Sequence, residues 1–277
     1  MPTDDRNTPP AVEFDNVSFA FDDHVILRDV SFAVPYGAMT ILLGESGVGK
    51  SVTLKLILGL MRPDAGAIHV NGERVDTLSE RELLRVRADM GMVFQELALF
   101  DSLTVGENVG YRLSEEMHLP NDQVRTRVEE VLGFIGLGEF IDRMPSQLSG
   151  GQRRRVAIAR AMASRPRLIL FDDPTTGLDP IIASTVDHEI VKLRDLERLT
   201  AIFVTQQIRD AFYIATHRAI RNNSQIEIVE AKENEVAPAE FLLLHDARIR
   251  FRGTAAELLE SDDEYLREFL YMTLPPW

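Results

Sequence analysis

The sequence predicts an α/β fold: a parallel sheet covered on both faces, interrupted by a helical insertion and preceded by half-buried strands. Three observations carry this. Short, almost wholly apolar runs at Met39–Leu43 (MTILL), Met90–Phe94 (MGMVF), Leu168–Phe171 (LILF) and Ala201–Val204 (AIFV) suit strands buried on both faces. Helical stretches separate them, the alternation that builds a parallel sheet. Val12–Phe21 (VEFDNVSFAF) and Ile26–Val34 (ILRDVSFAV) instead alternate apolar and polar residues, as half-buried strands do.

Taken in order, MTILL runs into a Gly-rich turn and then Val52–Leu60 (VTLKLILGL), which has helical periodicity. Turn residues punctuate Pro63 to Gly72 around a short strand, Ala67–Val70. Ser79–Ala88 (SERELLRVRA) reads as a helix capped by Ser79, with Glu82 three residues on. From about Glu107 to Ser164 the pattern is mainly helical, with loops near Pro120, Gly138 and Pro145, and Ile182–Leu196 is a further helix. After Thr216 the composition turns polar and acidic around a strand at Ile226–Val229, with Asn222-Asn223-Ser224 able to turn a hairpin. Ala231–Pro238 reads as a mobile, solvated loop. Phe241–Leu244 and Arg248–Phe251 flank a second hairpin, and an amphipathic helix is expected over Asp262–Tyr271. The ending YMTLPPW, with the only tryptophan, is expected to pack on a neighbouring subunit or a small partner.

With 277 residues, 45% hydrophobic, the chain can bury a sizeable core. The formal net charge of −14 argues against a nucleic-acid footprint. It leaves room for a phosphate ligand, which a local nest of backbone amides binds regardless of net charge. There is no cysteine, so disulfide and thiolate chemistry are absent, as suits a cytosolic setting. MPTDDRNTPP is acidic and Pro-rich, a frayed tail rather than a signal peptide. No uncharged apolar run reaches the roughly 18 residues needed to span a bilayer.

Gly44–Ser51 is GESGVGKS, a P-loop pattern set between an apolar strand and a helix. Backbone amides of Gly44, Glu45, Ser46, Gly47, Val48 and Gly49, with Val52 behind them, are expected to wrap a triphosphate at a helix N-terminus. Lys50 would reach the β- and γ-phosphates and Ser51 would ligate Mg2+. The alternative is a strand-to-helix turn with an incidental lysine. Asp172 and Asp173 follow LILF, where ligands bind in open α/β sheets. Asp172 would hold Mg2+ through water, and Asp173 would orient or deprotonate an attacking water; an acidic turn or capping pair is the alternative. Leu148–Gln152 is LSGGQ, a second helix start suited to phosphate through Ser149, Gly150, Gly151 and Gln152, or else a flexible capping turn. Two phosphate nests of different design make sense if two chains share each nucleotide.

With these motifs the chain resembles the ATP-binding cassette (ABC) ATPases from about Val12 to Gly253. GESGVGKS is similar to Walker A, LSGGQ to the family signature and LILFDD to Walker B. Gln95 resembles the Q-loop glutamine, which senses Mg2+ and touches the transmembrane partner; Gly177-Leu178-Asp179 resembles the D-loop; Phe21 falls where an aromatic stacks on adenine. The resemblance implies a P-loop NTPase of ABC type: a RecA-like core with an antiparallel β subdomain and a helical subdomain. The expected organisation is a tail over 1–10, an ATPase domain over 11–253 and a C-terminal helix and tail over 254–277. The helical subdomain falls at about 96–165 and an inserted hairpin and loop at about 221–240. ATP and Mg2+ are the implied cofactors, lying in a head-to-tail homodimer between Lys50 of one subunit and Ser149 of the other. ALFDSLTVGENV (Ala98–Val109) and SDDEYLREFL (Ser261–Leu270) resemble the lipid-transport branch associated with Mla and MCE proteins. That branch implies an inner-membrane permease, an MCE lipid-binding protein, often a small STAS-domain subunit, and a place on the cytoplasmic face of the inner membrane. Sugar, amino-acid and phosphate importers share the core motifs.

Two positions depart from the family. Asp173 stands where a catalytic glutamate is expected, and Gln206 where a switch histidine is expected. The aspartate is one methylene short, and a displacement of about 1 Å can cost on the order of 10²-fold in rate. The glutamine amide can donate a hydrogen bond but cannot carry the charge of an imidazolium. Three readings follow: a transporter ATPase with slow or partner-activated turnover, an ATP-dependent clamp that hydrolyses little, or a soluble ABC protein outside transport. The acidic charge, single cassette and absence of a long coiled-coil insertion weigh against the third.

Overall fold

The computed structural model describes residues 9–222, 225–231 and 239–273. Val12–Phe21 (β1) and His24–Val34 (β2) form an antiparallel hairpin. Its partners across the second edge are Ala65–Val70 (β4) and the two-residue strand Glu73–Arg74 (β5). Between them come the central strand Met39–Leu43 (β3) and the helix Lys50–Ile57 (α1). Glu80–Arg87 (α2) follows, its Ser79 amide donating to the Glu82 carboxylate at 2.8 Å as the sequence predicts. Met90–Val93 (β6) leads into Val105–Glu115 (α3), Asn121–Phe134 (α4) and Gly150–Ala163 (α5). Leu168–Asp172 (β7), Pro180–Leu196 (α6), Thr200–Thr205 (β8) and Ile208–Thr216 (α7) complete the parallel alternation.

The chain then forms the hairpin His217–Asn222 (β9) and Gln225–Glu230 (β10), a second hairpin Ala239–His245 (β11) and Arg248–Gly253 (β12), and the helices Ala255–Leu259 (α8) and Glu264–Thr273 (α9). The expected tail at 1–8, the turn residues Asn223 and Ser224, most of the loop 231–238 and the ending beyond 273 lie outside the described residues.

The main sheet has the order β12-β11-β3-β8-β7-β6, parallel except for β12. Its strands read as unbroken apolar runs because alternate side chains feed two cores. Ile41, Leu43, Ile169, Phe171 and Phe203 join the core built with α3–α7. Leu42, Leu168, Leu170, Ile202 and Val204 face the other way, onto α1 and the β1–β2–β4 layer.

Several elements differ from the sequence reading, which also assigns nothing to β5 or to helix α7. Helix α1 begins at Lys50 rather than Val52, since its first turn is polar and apolar periodicity starts later. Strand β9 was hidden by its polar composition (HRAIRN). It is held by α6: the buried Arg194 donates to the His217 carbonyl at 2.6 Å and Asp195 accepts the Ala219 amide at 2.7 Å. Helix α8 is a single capped turn, Thr254 accepting from the Glu257 amide at 3.2 Å, too short for a periodic signal.

Asp187 of α6 is buried, and its Oδ1 has no hydrogen-bond partner among the described residues. Burial, then the nearby Asp210 carboxylate, push its carboxyl from 3.8 up to about 8. Between those values the unfolded chain releases the proton while the folded chain keeps it, so stability falls as pH rises and the penalty is complete above about 8. Asp187→Asn, a neutral isostere, is expected to stabilise the protein by on the order of 2 kcal/mol at pH 8 and by little at pH 4. Thermal melting at the two pH values checks this; an equal shift at both would refute it.

Candidate functional site

Strand β3 ends at Leu43 in the middle of the sheet, and the chain turns at once. Gly44 has φ +155°, and a Cβ there would lie 2.6 Å from the Leu244 carbonyl oxygen at the end of β11, so no other residue fits. Gly49, φ +110°, caps α1 with Ile26 of β2 packed where a Cβ would stand. Between them Glu45, Ser46 and Gly47 are exposed and Val48 is half-buried. The Lys50 ammonium turns back under the loop, donating to the carbonyls of Gly44 (2.9 Å) and Glu45 (2.8 Å). Lys50 is 5% exposed. Burial lowers its pKa, opposed by the carboxylates of Asp173, Asp172 and Glu45.

Asp172 is the last residue of β7, level with Val204 on β8. The Ser51 hydroxyl, from the half-buried first turn of α1 that Val52 continues, donates to its Oδ1 at 2.8 Å. Burial raises the Asp172 pKa; the Ser51 bond pulls it down and the Asp173 charge pushes it up again. Asp173 takes a left-handed backbone, φ +43°, which aspartate tolerates better than most residues. Its amide donates to the Val204 carbonyl at 2.9 Å and its carboxylate accepts the Gln206 amide at 3.1 Å. The structure therefore brings Lys50, Ser51, Asp172, Asp173 and Gln206 together where β3, β8 and β7 end side by side.

The LSGGQ segment starts α5. The Ser149 hydroxyl accepts the Gln152 amide at 3.2 Å and the Ser149 amide donates to the Gln152 side chain at 2.8 Å. A Cβ on Gly151 would meet Ile182 at 2.3 Å, and one on Gly150 would lie 3.5 Å from Leu178, so this turn packs on the segment around Asp179 in its own chain. Asp179 caps α6, accepting the amides of Ile181 and Ile182 at 3.1 Å. Phe14 and Phe19 are core, whereas Phe21 is 46% exposed at the β1–β2 turn, edge-on to Phe19 at 4.9 Å. Of the three it alone offers a ring face to a ligand.

Gln95 is exposed just beyond β6, and what holds it escaped the sequence reading. Arg154 of α5, 5% exposed, donates to the carbonyls of Phe94 (3.2 Å) and Gln95 (2.6 Å), and also to that of Thr176 (3.1 Å). Arg160 donates to the carbonyl of Leu97 at 2.9 Å; Leu97 and Ala98 both have positive φ, +64° and +49°. The available signal was a run of arginines entering an otherwise apolar helix.

A family profile described as ABC transporter matches residues 27–176. The intermembrane phospholipid transport system ATP-binding protein MlaF of Haemophilus influenzae is 36% identical over 94% of this chain and 89% of its own. The sulfate/thiosulfate import ATP-binding protein CysA of Synechocystis sp. is 39% identical over 80% of this chain but only 61% of its own. Among solved structures, the dimeric ATP-binding cassette MJ0796 in a post-hydrolysis state bound to ADP and Pi superposes with a TM-score of 0.71. It is 28% identical, covering 88% of this chain and 98% of that one. No helix among the described residues is long and apolar enough to cross a membrane.

Proposed function

The chain belongs to the ABC transporter family as an ATP-binding subunit, and from that premise we propose that it hydrolyses ATP slowly to drive phospholipid through a separate permease. The observation that supports this most is the meeting of Lys50, Ser51, Asp172 and Asp173 at three adjacent strand ends. In this reading the loop from Gly44 to Val52 holds the phosphates and Phe21 stacks on the adenine. Ser51 and Asp172, whose oxygens lie 2.8 Å apart, are hard donors of the kind that suits Mg2+, with Gln95 beyond them. The ion, when bound, supplies charge neutralisation at the β- and γ-phosphates.

Asp173 takes a proton from water as the water oxygen attacks the γ-phosphorus. The bond from that phosphorus to the β–γ bridging oxygen breaks, and ADP leaves with the electron pair. The Gln206 amide aims Asp173, and the Gln206 side chain is left to donate to the γ-phosphate. The second copy of a head-to-tail dimer supplies Ser149–Gln152 and Asp179. Because the Ser149 oxygen is occupied as a cap, its hydrogen remains to be donated outward to an anion.

Beside Gln95 lies a groove of about 550 Å³ lined by Leu84, Met92, Phe94, Phe100, Tyr111 and Arg112. Its exposed rings, Phe100 and Tyr111, lie with centroids 4.6 Å apart, tilted by 37°. In this reading it receives a cytoplasmic segment of the permease, and the chain works at the cytoplasmic face of the inner membrane. The phospholipid reading is supported by the length over which MlaF matches and by the segments Ala98–Val109 and Ser261–Leu270. In this reading an MCE protein and a small STAS-domain subunit, the partners that the resemblance implies, complete the assembly.

Steady-state MgATP hydrolysis, with Lys50→Ala as the blank, tests the chemistry. Turnover above the blank is expected; bound ATP without turnover would favour the clamp. Asp173→Glu restores the missing methylene and is expected to raise turnover by about tenfold or more, while Asp173→Asn falls to the blank with ATP still bound. An Asp173→Glu variant no faster than the parent would show that the short carboxylate is not limiting. Purified from membranes, the parent is expected to carry a multi-span permease and phospholipid, and Phe100→Asp to lose both. A complex that retains sulfate or another small solute instead of lipid would make it an importer.

A further inference from the structure

The start of α9 is fastened to the β11–β12 hairpin. Asp263 accepts the Leu266 amide at 3.1 Å and the Arg250 guanidinium at 3.1 Å, and Leu266, Phe269 and Leu270 are buried in the core. This lays the Tyr265 ring on the His245 imidazole with centroids 3.7 Å apart, the Arg250 guanidinium standing 5.0 Å from the ring centre. The Tyr265 hydroxyl then donates to Glu45 Oε1 at 3.0 Å, across 220 residues of sequence. Burial and the Glu45 carboxylate push the phenol up to about 12, so its proton stays in place across the neutral range.

Glu45 sits in the turn between β3 and α1, and its own carbonyl accepts the Lys50 ammonium at 2.8 Å. Its neighbour Gly44 is pressed on the Leu244 carbonyl. Two successive residues of the loop are thus held from the β11 side, one by backbone contact and one by the last helix. We propose that Tyr265 is a positioning residue for the nucleotide loop, so that α9 sets the ATP affinity of the site. This rests on the reading that residues 44–52 hold ATP. Two effects act in the same direction. Fixing Glu45 reduces the ordering that binding must otherwise supply. It also ties an exposed carboxylate to the α9 side, where it cannot swing over a loop that receives an anion.

Tyr265→Phe keeps the stack on His245 and removes only the hydroxyl. In the full-length chain it is expected to weaken a fluorescent ATP analogue by about fivefold, the worth of one net hydrogen bond. KM for ATP rises with it, while kcat and the melting temperature hold. In the Glu45→Ala background the same change is expected to have no further effect, because the bond is already gone. Equal affinity for parent and Tyr265→Phe would overturn the inference and leave the ATP site standing. An equal loss in both backgrounds would show that Tyr265 does not act through Glu45. A parent chain that binds no nucleotide would overturn the inference and the ATP reading together.

Discussion

A buried ammonium governs the middle of this molecule. Removing a cation from water costs on the order of several kcal/mol unless donors and countercharges offset it. Lys50 meets that demand with two carbonyls of its own loop and two aspartates, one ending a strand and one just past it, more than a hundred residues away. The turn after β3 must be tight enough to present its carbonyls downward, which is why Gly44 sits against Leu244 where no side chain fits. The strands must be ordered so that Asp172 and Asp173 arrive beside it, which the sequence β3-β8-β7 achieves. Both the local turn and the long-range topology answer to one charge.

The carboxylates are matched to that arrangement in different ways. Asp172 ends a strand and shares its proton-accepting oxygen with Ser51, so it is fixed by regular structure on both sides. Asp173 lies one residue further, in a left-handed turn, and is aimed by a single backbone amide from β8's exit. The first is held from a strand end by a side-chain hydroxyl and the second from a turn by a backbone amide, which suits the proposed roles of metal holding for Asp172 and proton transfer for Asp173. The shorter side chain at 173 keeps this geometry compact but draws the carboxylate back toward its own strand.

Much of this was legible in the linear sequence because each feature has a local cause. Unbroken apolar runs mark strands covered on both faces, and the structure puts Leu168 and Leu170 on one core and Ile169 and Phe171 on the other. Ser79 and Glu82 announce a helix start three residues apart, and the loop at Gly44–Ser51 is written in consecutive letters. Contacts between distant residues of unremarkable type leave no such mark. Nothing in the string links Tyr265 to Glu45, or Arg154 to the carbonyls of Gln95 and Thr176. Strand β9 was missed for a related reason: its register is imposed by Arg194 and Asp195 of α6, not by its own pattern.

The guanidinium of Arg154 makes its two loops a single inheritance. It grips main-chain oxygens rather than side chains, so the residues at 94, 95 and 176 can change identity without loosening it, whereas a change in the length of either loop cannot be absorbed. A chimera that borrowed the segment after β6 from a relative would work only if its length were kept, so that its carbonyls still met Arg154. Recombination across this family should therefore tolerate crossovers within the β1–β2 layer more readily than between residues 94 and 154.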